Sequence, residues 1–463
     1  MIDDPPHMAV SETVRLLPGV HCAMGEGGEV FLVARPRSES LGRLTAEQLT
    51  TLRRLANACT VDDLLGDGLT TRLLERLRSG GWLTTTVWGN DNLPLYTLRP
   101  RRRRHGAGHD AVPARVMLSR FAVLRRDGAE MLVESAVATC DVHVHDPRVL
   151  EFVAASLTPV SRGDAPGQLS ADVGRRLVVD LWREGFLTDQ SDAETDELRL
   201  AQWSAHELWF HHRSSKIDGT GGTYWAKGRF DPLPGRHRPF DGPTVALPKP
   251  DLGRLRATDP TLTAVIEDRR SVREGDEDNP LTLDQLGEFL FRCARVRGVG
   301  VYSGQEVSDR PYPAGGGLHE LEIYPVVRSV TGLHTGLYHY DAHSHRLTLG
   351  SAHPAPLRAL LKWSGMPQVL LVVTARFGRL MWKYEGTGYA LMLKHVGVLY
   401  QNMYLIATAM ALAPCAIAVG GNDFFAEATG LDPMTEASVG AFTLGSRRPA
   451  SSTVAGADRK GRS

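Results

Sequence analysis

The sequence predicts an α+β protein in which two winged-helix-like units precede a larger domain, a mixed sheet flanked by helices. The 463 residues are too many for one ordinary domain. The amino-terminal part repeats one pattern of strands and helix, whereas helical and strand patterns alternate throughout the carboxy-terminal part. The predicted boundaries are 1–98 and 111–196 for the two units, 197–250 for an extended connector, 251–448 for the larger domain and 449–463 for a disordered tail.

Each amino-terminal unit begins with a predicted pair of strands, at residues 14–34 and again at residues 116–136. An amphipathic helix follows and ends at a Gly, an aromatic residue and a Leu-Thr strand, which is the closing pattern of a winged helix. The apolar faces of these helices are formed by Leu73, Leu74 and Leu77 in the first unit and by Leu177, Val178 and Leu181 in the second.

These units are predicted to bind peptide or protein and not nucleic acid. Glu75 and Asp180 lie among the basic residues of the two helices, and the chain has 53 acidic and 53 basic residues. A neutral chain lacks the field that attracts nucleic acid. Winged helices also bind peptides by strand addition. The arginine-rich run at 99–110 is interpreted as a solvated linker between the units.

Cysteine usage and hydropathy predict a cytoplasmic protein without a metal site or a membrane segment. The five cysteines are far apart and form no CxxC pair, and no signal peptide opens the sequence. The apolar run at 403–421 approaches membrane-spanning length, but Pro414 interrupts it and Lys394 precedes it. A buried helix followed by a strand is the favoured interpretation.

An arginine-rich loop is the first candidate site. The stretch EDRRSVREGD at 267–276 places Arg269, Arg270 and Arg273 around Ser271, just past a predicted helix end. Arginine forks and backbone N–H groups are well suited to a phosphate oxyanion. Positive charge near the pyrimidine end of a flavin also stabilises its reduced, anionic form. The loop therefore predicts a site for a phosphate ligand such as flavin mononucleotide, with an exposed arginine cluster as the alternative.

Three further stretches favour the ligand. PYPAGGGLHELEIYPVV at 311–327 places three glycines before a strand, and CAIAVGGNDF at 415–424 places two glycines after one. Such glycines let the backbone approach a flat ligand closely. LGSRRPAS at 444–451 adds two arginines where the last strand ends.

Together these motifs resemble the FMN-dependent nitroreductase superfamily over residues 251–448. GLYHYDAHSHRLTL at 336–349 and RLMWKYEGTGYALML at 379–393 are more particular. They resemble the thiazole/oxazole-forming azoline dehydrogenases of ribosomal azole peptide biosynthesis, the streptolysin S and cyanobactin oxidase type. That type also carries amino-terminal winged-helix peptide-recognition units and a connector similar to WSAHELWFHHRSS at 203–215.

The resemblance implies a set of cofactor-binding residues. Two positions depart from the family: Gly420 stands where many nitroreductases have Glu, and the usual serine of the Pro-Ser-Ala-Gly segment is missing from YPAGG. Which of Arg447 and Arg448 contacts the phosphate stays open. The implied FMN-binding residues of one subunit are Arg269, Arg270, Ser271, Arg273, Gly420, Gly421, Arg447 and Arg448. The resemblance implies that Pro313, Ala314, Gly315 and Gly316 line the flavin from the second subunit.

Lys383 and Tyr384 match the Lys-Tyr pair of the azoline oxidases. Converting an azoline to an azole removes a proton from the α carbon and a hydride from the adjacent ring carbon. A lysine in a desolvated site can act as the base, and a tyrosine beside it can relay a proton or donate to the ring nitrogen. Neighbouring residues share a site only in a loop or helical turn, because strand neighbours point to opposite faces. Which of the two is the base stays open.

Several histidines are candidates of lower rank. His143 and His145 alternate on one strand face, but no third zinc ligand is visible. His339, His343 and His345 lie in a predicted hairpin and are expected to be exposed, whereas His319 is a candidate for the flavin cavity.

The function predicted from these features is FMN-dependent oxidation of thiazolines or oxazolines in a ribosomally made peptide, with oxygen reoxidising the flavin. The expected partners are the azoline-containing precursor peptide, the cyclodehydratase that forms the azolines and a second copy of the chain in a homodimer. The alternatives are a general NAD(P)H-dependent nitro- or ene-reductase and a catalytically silent scaffold of a peptide-modification complex. A winged-helix regulator of transcription is the least favoured.

Overall fold

The structure is a computed structural model that describes residues 10–34, 37–64, 68–103, 111–163, 168–189, 193–215, 226–417 and 421–448. It divides into two compact units, Met1–Gly221 and Gly222–Ser463. The predicted tail at 449–463 lies outside the described residues.

The amino-terminal unit consists of short strands and helices in a repeated order, but each predicted pair of strands, at 14–34 and at 116–136, is a set of three strands in the structure. The strands are β1 Glu12–Leu16, β2 His21–Met24, β3 Val30–Ala34, β4 Arg37–Gly42, β5 Cys59–Thr60, β6 Leu83–Trp88, β7 Pro94–Pro100, β8 Arg115–Leu118, β9 Ala122–Asp127, β10 Glu130–Ser135, β11 Cys140–Val144, β12 Val160–Ser161 and β13 Leu187–Thr188. The helices are α1 Ala46–Arg54, α2 Gly68–Ser79, α3 Pro147–Ala155, α4 Ala171–Glu184, α5 Ala193–Asp196, α6 Leu198–Ala201 and α7 Ala205–Ser215.

Both repeats contribute to one antiparallel sheet, in the order β5-β1-β6-β7-β11-β10-β9. The register pairs Leu98 of β7 with Val142 of β11 and so joins the two repeats directly. Two smaller sheets, β2-β3-β4 and β12-β8-β13, accompany it. The predicted apolar faces of α2 and α4 are buried. The winged-helix assignment stays a prediction, and the repeats are less independent than it implies.

Asp180 is not a surface residue, contrary to the role it has in the sequence argument against DNA binding. It is buried and accepts hydrogen bonds from the Tyr96 hydroxyl and the Arg176 guanidinium, both at 2.9 Å. Arg176 also pairs with Glu12 on β1, which pairs with Arg78 on α2. Helical periodicity alone does not reveal this, because an acidic residue on a helix is most often solvated.

Residues 197–250 are only partly the extended connector that the sequence predicts. Helix α7 occupies Ala205–Ser215 within it. A capping box starts this helix: the Ser204 hydroxyl accepts the Glu207 N–H at 3.2 Å, and the Glu207 carboxylate accepts the Ser204 N–H at 3.3 Å. The Ser-x-x-Glu spacing in the sequence indicates the start of this helix, but the aromatic residues around it favoured an extended segment.

The carboxy-terminal unit alternates strands and helices. Its strands are β14 Thr244–Ala246, β15 Leu281–Thr282, β16 Gly298–Tyr302, β17 Gln305–Asp309, β18 Leu321–Val327, β19 Val330–Thr331, β20 Gly336–Asp341, β21 Arg346–Ser351, β22 Val369–Arg376, β23 Leu412–Ile417 and β24 Glu436–Ser446. Its helices are α8 Leu252–Thr258, α9 Leu262–Asp268, α10 Leu283–Ala294, α11 Pro354–Trp363, α12 Phe377–Met381, α13 Gly388–Ala409 and α14 Asn422–Thr429.

Seven strands form the central sheet of this unit, in the order β14-β21-β20-β18-β22-β24-β23. Alternate residues of β18 face two apolar clusters: Ile323 packs with residues of α10 and α13, and Tyr324 packs with residues of α11 and α14. Helices therefore cover both faces, as predicted. The pairings in this sheet are antiparallel, and the parallel pair is the separate β15–β19 ladder. The predicted mixed sheet is corrected in this respect, because residue periodicity does not encode strand direction.

The long apolar stretch forms α13 and then β23. The helix ends at Ala409, before the predicted residue 413, because Ala411 adopts a left-handed φ of 50° and Pro414 lies within the strand. Among the described residues, no helix combines the length and hydropathy that a bilayer crossing requires.

The expectation that the hairpin histidines are exposed is wrong. His339 and His345 are each 4% exposed, and His343 is half-buried. His339 contacts the Glu322 carboxylate at 3.1 Å, and His345 contacts the Tyr340 hydroxyl at 3.0 Å. The hairpin β20–β21 lies within the central sheet, which covers His339 and His345.

Candidate active site

The arginine loop starts where α9 ends and is anchored mainly through its backbone. The Val272 N–H donates to the Pro414 carbonyl at 2.7 Å, which joins the loop to β23. The buried Gln368 amide donates to the Asp276 carbonyl at 2.8 Å and accepts the Ser446 N–H at 3.0 Å. The end of the loop and the end of β24 are thereby held together, as the two arginine motifs of the sequence require.

Tyr404 on α13 is a residue of this site that sequence reasoning missed. Its hydroxyl lies 2.9 Å from the Ser271 hydroxyl and accepts the Ala416 N–H at 2.8 Å. The Arg269 guanidinium lies 5.3 Å from its ring centroid. One phenol thus orients the loop against β23.

Arg270 and Arg447 line one cavity of about 290 Å³, together with Asp268 and with Pro260, Ala264, Val265 and Thr408. The side chains of Arg270, Arg273, Arg447 and Arg448 are exposed. Arg270 donates to the carbonyls of Glu267 and Arg269. The two arginine motifs therefore meet at a polar cavity.

The Gly-rich segment forms a tight turn that only glycine fits without strain. Pro313 and Ala314 lead into a single helical turn at Gly315–Gly317, in which Gly316 has a φ of 63°. A Cβ on Gly316 would lie 3.0 Å from the Tyr384 hydroxyl and 3.2 Å from the Lys383 amine. The predicted catalytic pair and the predicted flavin-contacting glycines therefore lie side by side.

Lys383 and Tyr384 occupy a helical turn after α12, which is the geometry that lets neighbours share a site. Both backbone N–H groups donate to the Leu380 carbonyl, at 3.1 and 3.0 Å. The Lys383 amine lies 5.2 Å from the Tyr302 ring centroid and 5.6 Å from that of Tyr384. Both side chains are half-buried. The amine and the phenol thus point to one place.

His395 and Glu320 are further residues that sequence reasoning missed. The Gly315 N–H donates to His395 Nε2 at 2.8 Å, so Nδ1 carries the proton that meets the Glu320 carboxylate at 2.7 Å. His395 is 6% exposed and Glu320 is fully buried. The available signal was a histidine on the apolar face of α13, beside Met392 and Leu399.

His319 supports the glycine turn from the protein side. It is 4% exposed, and its ring nitrogens contact the Tyr312 carbonyl at 2.9 Å and the Ser308 hydroxyl at 3.2 Å. Burial lowers its pKa. By contrast, His143 contacts Glu130 at 2.7 Å, and His145 contacts Thr97 at 2.8 Å, both in the amino-terminal unit.

The second glycine pair is described only in part. Gly420 lies outside the described residues. Gly421 precedes α14, and a Cβ there would lie 3.3 Å from Leu360. Close packing against α11 accounts for the absence of a side chain at this position.

The site suits an anionic, flat cofactor such as FMN. Within the described part of the chain, the arginines of the two motifs form no ion pair with a carboxylate, whereas Arg292, Arg297 and Arg328 of the same domain do. Charges without a carboxylate partner are available to a phosphate. The glycine turn leaves backbone uncovered beside the Lys-Tyr pair.

Two family models match the chain. The nitroreductase family matches residues 266–446, which include the arginine loop, the glycine turn and the Lys-Tyr pair. The model of the cyanobactin oxidase ThcOx matches residues 116–218, in the amino-terminal unit.

Curated relatives agree with these matches. The candidate nitroreductase MJ1384 of Methanocaldococcus jannaschii is 29% identical over 38% of this chain and 85% of its own length. The trifolitoxin-processing protein TfxB of Rhizobium leguminosarum bv. trifolii is 28% identical over 36% of this chain and 48% of its own. The microcin B17-processing protein McbC of Escherichia coli is 29% identical over 28% of this chain and 51% of its own. The chain thus spans about half the length of the two processing proteins it matches.

The two family matches lie in different units, one over the domain that carries the candidate site and one over the second amino-terminal repeat. The chain thus combines a domain that matches the nitroreductase family with a segment that matches the cyanobactin oxidase ThcOx, and these matches support an FMN-dependent oxidoreductase.

Proposed function

We propose that this enzyme oxidises thiazoline or oxazoline rings of a ribosomally synthesised peptide to thiazoles or oxazoles. The observation that carries the proposal is the convergence of the Lys383 amine and the Tyr384 hydroxyl on Gly316. The match to a cyanobactin oxidase supports it, as do relatives that process the peptides trifolitoxin and microcin B17.

The side chains divide the proton chemistry between them. The α proton of an azoline is acidified by the neighbouring C=N and carbonyl, and the Lys383 amine is the base that removes it. The Tyr384 hydroxyl donates to the ring nitrogen, where negative charge develops as that proton leaves. Bound FMN supplies the acceptor for the hydride, and oxygen then takes both electrons and two protons to give hydrogen peroxide.

Cofactor binding is assigned to the two arginine motifs and the glycine turn. Arg270 and Arg447 are the phosphate contacts, because they line one cavity. Arg269, Ser271 and Arg273 serve the ribityl and pyrimidine groups. The remaining contacts come from backbone at Gly420 and Gly421, with Arg448 beside the phosphate, and from Pro313, Ala314, Gly315 and Gly316 of the second copy of the chain.

The amino-terminal unit is proposed to dock the precursor peptide. A cavity of about 590 Å³ lies between β2, an edge strand, and α1. Leu16, Leu49 and Leu52 line it, and Arg15 and Arg53 contribute positive charge. An edge strand can accept a further strand from a peptide, and this lining suits one with apolar and acidic residues.

A charge-reversal variant tests this docking. Arg15→Glu with Arg53→Glu should raise KM for a full-length peptide and leave KM for a short azoline fragment unchanged. Equal effects on both substrates would exclude a docking role for this cavity.

Further partners are proposed from the surface and from the pathway chemistry. Val301 and Tyr302 on β16 and Leu393 on α13 are 77%, 65% and 40% exposed, which suits a surface that a second copy covers. Sedimentation at a monomer mass over the working concentration range would contradict a homodimer.

The cyclodehydratase that forms azolines is the expected pathway partner. Free thiols at Cys22, Cys59, Cys293 and Cys415 suit the cytoplasm.

The decisive experiment combines an absorption spectrum with mass spectrometry. The purified protein should be yellow, release FMN and not FAD on heating, and remove two mass units from an azoline peptide for each ring. A yellow protein that reduces nitro compounds with NAD(P)H and leaves azolines unchanged would favour the general reductase. A colourless protein would favour the silent scaffold.

A further inference from the structure

Arg379, four residues before Lys383, is a buried side chain to which neither the family matches nor the proposed chemistry assigns a role. It lies on α12 and is fully buried. A buried cation is costly unless it is hydrogen-bonded, so its presence in the interior requires specific partners.

Those partners are backbone carbonyls from three different segments. The guanidinium donates to the Leu318 carbonyl at 2.8 Å, the Leu233 carbonyl at 2.7 Å and the Glu306 carbonyl at 2.5 Å. Burial, with repulsion from Arg376, lowers the pKa of Arg379 to about 10, so it is still charged at neutral pH. The Arg379 carbonyl in turn accepts the side-chain amide of the buried Gln305 at 3.0 Å.

Each of these segments borders the candidate site. Leu318 directly follows the glycine turn, and Glu306 lies on β17, whose partner strand carries Tyr302. Leu233 belongs to residues 230–237, which we call the strap. The strap also contacts the turn that carries Lys383, because the Trp382 ring N–H donates to the Phe230 carbonyl at 2.8 Å.

We propose that Arg379 is a positioning residue that holds the turn bearing Lys383 and Tyr384 against the glycine turn, with the strap as the third side of the clamp. A guanidinium presents five donors in a rigid plane and can hold three carbonyls together, whereas a lysine amine offers a point charge on a flexible stem. The expected effect on turnover rests on the proposed function. The expected position of the Lys383 amine does not depend on it.

The first test is kinetic. Arg379→Lys keeps the charge and loses the planar fork, so kcat for azole formation should fall by up to about 10²-fold, the effect of a displacement near 1 Å. KM and flavin content should not change. In a background with both Lys383→Ala and Tyr384→Phe the same substitution should have no further effect, because the groups it positions are gone. Losses that multiply would overturn the proposal.

The second test needs neither substrate nor turnover. The rate at which acetic anhydride labels Lys383, relative to the exposed Lys362 of the same molecule, reports where the amine lies. Arg379→Lys should change this ratio several-fold by mass spectrometry. An unchanged ratio, together with unchanged kcat, would overturn the proposal.

Arg376→Lys is the matched control. Arg376 is also a buried arginine and donates to the Pro234 and Gly235 carbonyls of the strap at 3.0 and 3.2 Å. It pairs with Glu322 and does not contact the glycine turn. Arg376→Lys loosens the strap but not the glycine turn, so it should lower Tm and shift the labelling ratio less than Arg379→Lys does. A ratio altered to the same extent would reduce Arg379 to a general structural role.

Two outcomes remain distinct from this one. If wild-type protein forms no azole, the proposed function fails, while the labelling ratio still reports the clamp. If Arg379→Lys does not fold, Trp382→Phe removes only the bond to the Phe230 carbonyl and should shift the ratio in the same direction. No shift in that variant would overturn the clamp.

Discussion

The arginine loop and the turn that carries Lys383 are both parts of the candidate site, but they are held differently. Backbone hydrogen bonds hold most of the loop, whereas buried side chains hold the turn. The loop is joined to β23 and β24 mainly through backbone bonds, with Gln368 and Tyr404 adding side-chain bonds, and most of its arginine side chains are exposed. The turn is held by side chains: Arg379 and Gln305 are buried beneath it, and His395 and Glu320 lie beneath the neighbouring glycine turn. Binding a charged cofactor requires accessible charge, whereas proton transfer requires an exact position. This difference predicts that changes in the loop affect cofactor retention and changes near the turn affect turnover.

The largest expected effect separates these two roles. Lys383→Ala should stay yellow while azole formation falls about 10²–10⁴-fold, the usual contribution of a general base. Loss of two mass units per ring measures the rate, and Lys362→Ala on α11 is the control. Tyr384→Phe should keep the packing and lose only the donor to the ring nitrogen. Normal turnover in both variants would return the base to another group.

The free energy of unfolding of the carboxy-terminal domain should fall at acid pH, because the buried Glu322 carboxyl becomes protonated. Burial alone would raise the pKa of Glu322, yet the hydrogen bond and charge of His339, with Arg310 and Arg376, hold it at about 2. A carboxyl whose pKa is depressed on folding contributes stability above its unfolded pKa, and that stability is lost as pH falls from about 5 towards 2. Its contribution is about 3 kcal/mol. Urea unfolding at pH 7 and pH 3 should show this loss, and Glu322→Gln should flatten it. An equal slope in the variant would assign the acid sensitivity to other groups.

Cofactor retention should depend on the exposed side. Arg270→Ala removes a charged partner of the phosphate and should weaken FMN binding by about 1.5–3 kcal/mol. Equilibrium dialysis of the released flavin measures this, and Arg254→Ala on α8 is the control. Turnover at saturating FMN should be nearly normal. Unchanged affinity would remove Arg270 from the phosphate site.

The smallest expected effect lies at the glycine turn, beside the Lys-Tyr pair. Gly316→Ala should cost about 1–2 kcal/mol from the left-handed φ alone. It should also displace the Tyr384 hydroxyl and the Lys383 amine, which a Cβ would approach at 3.0 and 3.2 Å. Gly304→Ala is the matched control, since its φ is 77° and its Cβ would meet nothing within 4 Å. Thermal unfolding should change alike in both variants, and turnover should fall only in Gly316→Ala. Equal turnover would show that the Lys-Tyr pair does not depend on this contact.

Sequence reasoning identified the groups that carry distinctive local patterns. The arginine loop, the glycine turn and the Lys-Tyr pair each occupy a few consecutive residues, so their composition alone indicated them. Sequence reasoning missed four residues that act through contacts with residues distant in sequence: Tyr404, His395, Glu320 and Arg379. A histidine or tyrosine on a long apolar helix gives no local sign of the carbonyl or hydroxyl that it meets. Strand direction in the central sheet was missed for the same reason.

The sheet that unites the two amino-terminal repeats determines how this region can be divided. A fragment that ends in the 99–110 segment would carry β7 with the edge that β11 covers, and Glu12 would lose Arg176. Uncovered edges promote association between chains. The repeats therefore form one module that has to be transplanted or expressed as a whole, although the sequence presents them as a tandem pair. Grafting peptide recognition from this enzyme onto another would require the entire seven-stranded sheet.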